Sequence, residues 1–406
     1  MAYAPIRWVA APLAAFALCS CTAAPEHDTS RQGTSQAARA PEGPCALKWH
    51  DNTDNIGVPT PSGKWTHSTG TVNALTLFID FPDIQDTEGV QARHDQFFPA
   101  TAEYFKTASY GRLDYRPEPV MKYLRMPKPF SAYRLERGAS YEARLALVKD
   151  AVAAADPEVD FSTYTKGDLI NIIVTPKAGK GLDLAATHNL AEPIETDEGP
   201  SPIMHIVDVW DNDSSLILNH ENGHTMGLPD LYPYAGDTTK FPAGHWDIMS
   251  DATSDPTDML AWHKWKLGWI DNSQVDCAAQ QHTTTERTLT PLAITGGTKM
   301  AVIPTSDSTG FIVEARTKDG LDRTQCAEGV LVYWVDTTKA GGDNPVTVYA
   351  GNQPDSCGQA KGSNWRALAN APYQVGQTYK DPRTRTTIAV TGRNDDGSHT
   401  VKVTRG

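Results

Sequence analysis

His220 and His224 stand four residues apart, with Glu221 beside the first of them. On an α-helix, residues at that spacing lie one turn above each other on one face, so both imidazoles can aim a ring nitrogen at one point. A divalent metal suits such a pair, and H-E-x-x-H on a helix is a zinc-binding pattern whose glutamate serves as general base toward water. The chain continues Thr225-Met226-Gly227-Leu228-Pro229-Asp230-Leu231-Tyr232. Gly227 can take a left-handed conformation and stop the helix, and Pro229 cannot extend it. Asp230 is then delivered from outside the helix as a third, carboxylate ligand, or else orients a histidine while a later acidic residue completes the site. Three protein ligands with an open fourth position describe a catalytic zinc rather than a structural one. Tyr232 is placed to donate a hydrogen bond to a developing oxyanion, or simply to pack as an aromatic with a wet hydroxyl. Gly223, between the histidines, costs about 1 kcal/mol of helix propensity relative to alanine, so its presence predicts something passing close to the helix backbone.

These residues need a frame. Asn212-Asp213-Ser214 offers side-chain oxygens to cap the metal helix. Upstream, 74–81 is a mostly apolar run ended by Pro82, as expected of a buried strand, and 101–108 reads as a helix stopped at Tyr110-Gly111. Leu145, Val148 and Val152 recur at helical spacing within 141–155, while 168–174 and 204–209 read as further strands. His205 lies on the last of these and, as a lone histidine, stays outside the site. Residues 182–200, with glycine, proline and acidic residues and no period, read as a loop beside the cleft. Past the site, Pro256 with Asp255 as N-cap is expected to begin a helix that carries Met259, Trp262 and Trp265 inward and ends at Gly268. From about residue 280 the pattern turns to short β-rich runs at 300–303, 311–315, 330–335, 346–349, 386–390 and 400–403. Asn394-Asp395-Asp396-Gly397 forms a hairpin turn between the last two.

The segment His220-Glu221-Asn222-Gly223-His224-Thr225-Met226-Gly227-Leu228-Pro229-Asp230-Leu231-Tyr232 resembles the active-site stretch of the M6 metalloproteases, the immune inhibitor A-like peptidases. Two later segments match the same family in order: Trp246-Asp247-Ile248-Met249-Ser250, and Ala261-Trp262-His263-Lys264-Trp265-Lys266-Leu267-Gly268-Trp269-Ile270. Phe81-Pro82-Asp83 and Ser109-Tyr110-Gly111 add weaker matches, and the similarity runs from about 72 to about 336. It implies a zincin-type catalytic domain carrying the metal helix; with the β-rich runs after about residue 280 read as an all-β, sandwich-like C-terminal domain, the expected fold is α+β. The resemblance also implies a zinc endopeptidase in which His220, His224 and Asp230 hold Zn²⁺, Glu221 is the base, and Met249 is an apolar floor beneath the metal. The strand just before the metal helix is expected to be the edge along the substrate cleft, where an extended peptide can pair. Asp230 departs from the commoner metzincin pattern, which has histidine there. The same helix would also serve a zinc amidase or another hydrolase of a non-peptide envelope substrate. A non-catalytic binding protein is the third reading, against which the intact His-Glu-His set argues.

At the amino end, Arg7 precedes an apolar run over 8–19 that is too short to span a bilayer and reads as a signal-peptide core. Leu18-Cys19-Ser20-Cys21 resembles a bacterial lipobox, with Cys21 lipidated and the protein anchored at the outer face of the membrane. Cleavage after Cys21-Thr22-Ala23-Ala24, releasing a secreted enzyme, is the other reading. The predicted organisation is a signal peptide or lipobox over 1–21, a flexible linker over 22–44, a catalytic domain over 45–279 and a β-rich domain over 280–406. Cys45, Cys277, Cys326 and Cys357 remain, an even number in an exported chain, and the pairs favoured are Cys45–Cys277 and Cys326–Cys357. With 49 acidic against 36 basic side chains and a net charge of −13, the chain is unsuited to nucleic acid. The acidic stretches 208–213 and 251–258 are candidates for structural Ca²⁺ or plain solvated surface.

Overall fold

The structure is a computed structural model that describes residues 41–406 apart from 51–54, 62, 137, 183, 211–213, 236–240, 253–256 and 352–367. The expected signal peptide or lipobox, most of the linker, the caps Asn212 and Asp213, the helix start at Asp255-Pro256, and Cys357 lie outside the described residues.

The amino half builds one mixed sheet with helices on both faces. In chain order its elements are β1 (Gly70–Asp80), α1 (Gln91–Asp95), α2 (Ala100–Ala108), β2 (Leu113–Arg125), α3 (Tyr141–Ala155), β3 (Leu169–Val174), β4 (Ala186–Asn189), the two-residue strands β5 (Glu195–Thr196) and β6 (Gly199–Pro200), β7 (His205–Val209), α4 (Ser215–Thr225) and α5 (Ala261–Lys266). The sheet runs β2-β1-β3-β7-β4, parallel except for β4, which pairs antiparallel with β7. Strands covered on both faces lose the in-out alternation, and β1 and β3 do so here. Leu75, Leu77 and Ile79 meet Leu147, Val148, Ala151 and Val152 of α3, whereas Ala74 and Phe78 face the core shared with Phe105 and Leu218.

Two expectations need correction. Residues 182–200 are not simply a loop, since they contain β4 and the β5-β6 hairpin. The strand before the metal helix, β7, is internal and carries β4 outside it, so β4 is the edge. Side-chain pairs pin it there: His188 reaches the buried Asp208, and His205 Nδ1 lies 2.7 Å from Asn189 Oδ1. Asp208 also accepts from Arg144 and Trp210. The protein's own donors therefore surround that carboxylate, as His245 and Lys264 occupy Asp251 and Asp258.

Helix α5 begins at Ala261, later than predicted. Leu260 N donates to Asp247 Oδ2 at 2.7 Å, which holds the segment before the helix extended, and Gly268 ends it at φ +75°. The carboxyl half is β8 (Val275–Cys277), β9 (Thr284–Leu289), β10 (Met300–Pro304), β11 (Thr309–Arg316), β12 (Gly329–Asp336), β13 (Val346–Tyr349), β14 (Thr378–Asp381), β15 (Thr386–Arg393) and β16 (His399–Arg405). These form a β13-β12-β11-β10-β8 sheet, antiparallel but for β8, and an antiparallel β14-β15-β16-β9 sheet. Ile303, Phe311, Val313 and Val332 of the first meet Ile388, Val390, Val401 and Val403 of the second. The opposite face of the first sheet, with Val302, Ile312, Leu331 and Tyr333, packs into the core that holds Trp262, Trp265 and Met249. The predicted bridge Cys45–Cys277 is formed, and Cys326 is disulfide-bonded as well.

Candidate metal centre

Helix α4 starts where Ser214 Oγ accepts from Leu216 N and ends at Gly227, whose φ is +85°. Gly227 N and Leu228 N close the last turn on the carbonyls of His224 and Gly223, so the chain turns back at Asp230. His220 Nδ1 donates to the Ile248 carbonyl at 2.8 Å and His224 Nδ1 to the Leu228 carbonyl at 2.7 Å. A carbonyl only accepts, so these bonds put the ring proton on Nδ1 and leave each Nε2 with a free lone pair. Both Nε2 atoms face Asp230 Oδ1, at 3.0 Å from His220 and 3.4 Å from His224. Neither approach has hydrogen-bond geometry, and Oδ1 is a buried oxygen without a hydrogen-bond partner. Three such atoms within 4.8 Å of one another could hold a metal ion between them. The N, N, O donor set fits zinc. Among the described residues this is the group of metal-ligating side chains that can hold an ion.

The electrostatics agree. Burial works against charge on both histidines, yet the Asp230 carboxylate outweighs it, raising His220 and lifting His224 to about 9. Burial would raise Asp230, but the two imidazoles hold it well below the usual carboxylate range.

Glu221 lies on the same helix, and its carboxylate faces a cavity of about 270 Å³ lined by Trp65, Thr187, Asn189, His224, Asp230, Tyr232 and Tyr234 among others. Thr187 Oγ1 on β4 sits 2.7 Å from both Glu221 Oε2 and the Glu221 carbonyl. The Tyr232 ring stacks on His220 with centroids 6.1 Å apart. Burial and then the charge of Asp230 push its phenol pKa far upward, so it remains a proton donor. Tyr234 donates from its hydroxyl to Asp230 Oδ2. Neither Thr187 nor Tyr234 stood out in the sequence.

The floor of the centre explains Gly223. A Cβ there would lie 2.5 Å from Met249 Sδ, so the fully buried Met249 is what passes close to the helix. Asp247 shapes that turn by accepting from Met249 N at 2.8 Å and Leu260 N, with His263 Nδ1 2.8 Å away. No protein-family profile and no curated protein matches this sequence.

Proposed function

We propose that this chain is an exported zinc-dependent endopeptidase with a zincin-type catalytic region, similar to the M6 metalloproteases, followed by a β-rich region of sandwich type. The observation that carries the reading is the convergence of His220 Nε2, His224 Nε2 and the unpartnered Asp230 Oδ1 beside the Glu221 carboxylate, in a cavity flanked by an edge strand. The bridge Cys45–Cys277 supports an oxidising compartment, whether the chain is secreted or held at the outer face of a bacterial membrane through Cys21.

When bound, zinc supplies Lewis acidity that polarises the scissile carbonyl and acidifies a water. The rest belongs to the protein. Strand β4 offers backbone groups along which an extended peptide can lie. Glu221 takes a proton from the attacking water and returns it to the leaving amine, with Thr187 holding its carboxylate in line. Tyr232 donates to the oxygen on which negative charge develops.

A peptide-library cleavage assay with and without chelator tests this reading. Cleavage should vanish on chelation and return with Zn²⁺. Glu221→Gln should keep stoichiometric zinc while turnover falls by about 10²–10⁴. Full activity in that variant, or hydrolysis confined to non-peptide amides, would point to another reaction.

A further inference from the structure

The third ligand is not held by the helix that supplies the other two. Asp230 lies beyond Gly227, and part of what fixes it comes from the carboxyl half, in the turn between β12 and β13. Gly342 N donates to the Asp230 carbonyl at 3.3 Å, and Tyr234 N donates to the Gly342 carbonyl at 3.2 Å. The fit leaves no room for side chains. A Cβ on Gly341 would lie 3.2 Å from Pro229 Cβ and 3.3 Å from Asp230 N, and one on Gly342 would lie 2.2 Å from Tyr234 Cδ2. Gly342 also has φ +80°, so its lack of a side chain serves both the backbone and the Tyr234 ring. That ring, though 62% exposed, ends in a hydroxyl bonded to Asp230 Oδ2.

We infer that the Gly341-Gly342 turn and Tyr234 form a latch that positions the third metal ligand: the turn seats the tyrosine ring, and the hydroxyl fixes Oδ2 so that Oδ1 faces His220 and His224. Tyr234 and Gly342 are positioning residues, since neither reaches the metal position itself. An aspartate needs this more than a histidine would, because a short carboxylate can rotate either oxygen, or neither, toward the ion. The inference rests on the metal centre proposed above but not on the reaction it performs. The carboxyl half thereby becomes part of the centre.

The test is zinc affinity, measured by competition with a chromophoric chelator and by the zinc-dependent rise in thermal midpoint. Tyr234→Phe keeps the ring but loses the hydroxyl, and should bind zinc roughly 10–100-fold more weakly while its metal-free form still unfolds in one cooperative transition. Gly342→Ala should show a loss of similar size. Gly296→Ala is the control, because Gly296 shares the left-handed backbone (φ +74°) in the same half of the chain and has no atom waiting within 4 Å; its zinc affinity should not change. If Gly342→Ala fails to fold, Tyr234→Phe decides alone. Wild-type affinity in folded Tyr234→Phe refutes the latch and leaves the centre standing, whereas a wild-type protein that takes up no zinc refutes the centre and the latch together.

Discussion

Thr187 has one hydroxyl proton and two acceptors at 2.7 Å, both from Glu221. Donation to Oε2 holds the carboxylate in a single orientation toward the cavity, and a hydrogen bond to a charged group is worth about 1.5–3 kcal/mol. Thr187→Val should therefore lower kcat roughly 10–100-fold while KM changes little. Zinc affinity should match wild type, because Thr187 touches no ligand. Thr187→Ser, which keeps the hydroxyl, should restore most of the rate; steady-state kinetics on all three proteins at full zinc occupancy check this, and an equal loss in the serine variant would argue for packing instead. At this scale the sequence was readable where chemistry is local. His220, Glu221, His224 and Asp230 are related by helix periodicity and one turn, which spacing alone encodes. Thr187 and Tyr234 take their roles from partners or supports far along the chain. Nothing in Ala186-Thr187-His188-Asn189, or in a second tyrosine after Tyr232, marks either residue.

The edge strand that lines the cavity is β4, and its side-chain attachment to β7 is polar. Alternation along the strand turns Thr187 and Asn189 toward the cavity and His188 toward Asp208 on the other face. A strand built this way shows no apolar pattern, whereas β1 and β3, covered on both faces, read as long hydrophobic runs; β9, Thr284–Leu289, hides for the same reason as β4. His205 is a buried histidine within the attachment. It stacks near Trp65, bonds Asn189 and is buried, and burial lowers its pKa to about 4. For a histidine whose folded pKa lies below the unfolded 6.5, the stabilisation of the neutral ring is complete above pH 6.5 and is lost as pH falls toward 4, because the unfolded chain binds the proton first. The shift corresponds to about 3 kcal/mol over that window. Denaturant titrations at several pH values should show wild type losing stability between pH 6.5 and 4 more steeply than His205→Gln. Parallel curves would mean that His205 titrates normally in the folded protein.

Across the whole molecule, the change of pattern near residue 280 marks the end of the α-helices among the described residues but not a break in the core, since the β13-β12-β11-β10-β8 sheet packs on the core that holds α5 and on the second sheet at once. Fastening runs through the entering segment. Thr66 N donates to the carbonyl of Thr225 at the end of α4. Trp262, Lys266 and Trp269 donate to the carbonyls of Ile56, Gly57 and Ser68, and a Cβ on Gly227 would lie 3.0 Å from the Trp65 ring. The bridge Cys45–Cys277, at a sequence separation of 232, anchors the start of this segment to β8. Closing so long a loop restricts the unfolded chain strongly, and removing a native bridge typically costs about 2–5 kcal/mol. Because Cys326 is disulfide-bonded too, reductant would not isolate the effect. The double variant Cys45→Ala, Cys277→Ala in the oxidised protein would, and its unfolding free energy from denaturant titration should fall by about that amount. The zinc-dependent rise in midpoint should survive in part, since the bridge touches none of His220, His224 or Asp230. A double variant as stable as wild type would show instead that the hydrogen bonds to Ile56, Gly57 and Ser68 hold the entering segment without the bridge.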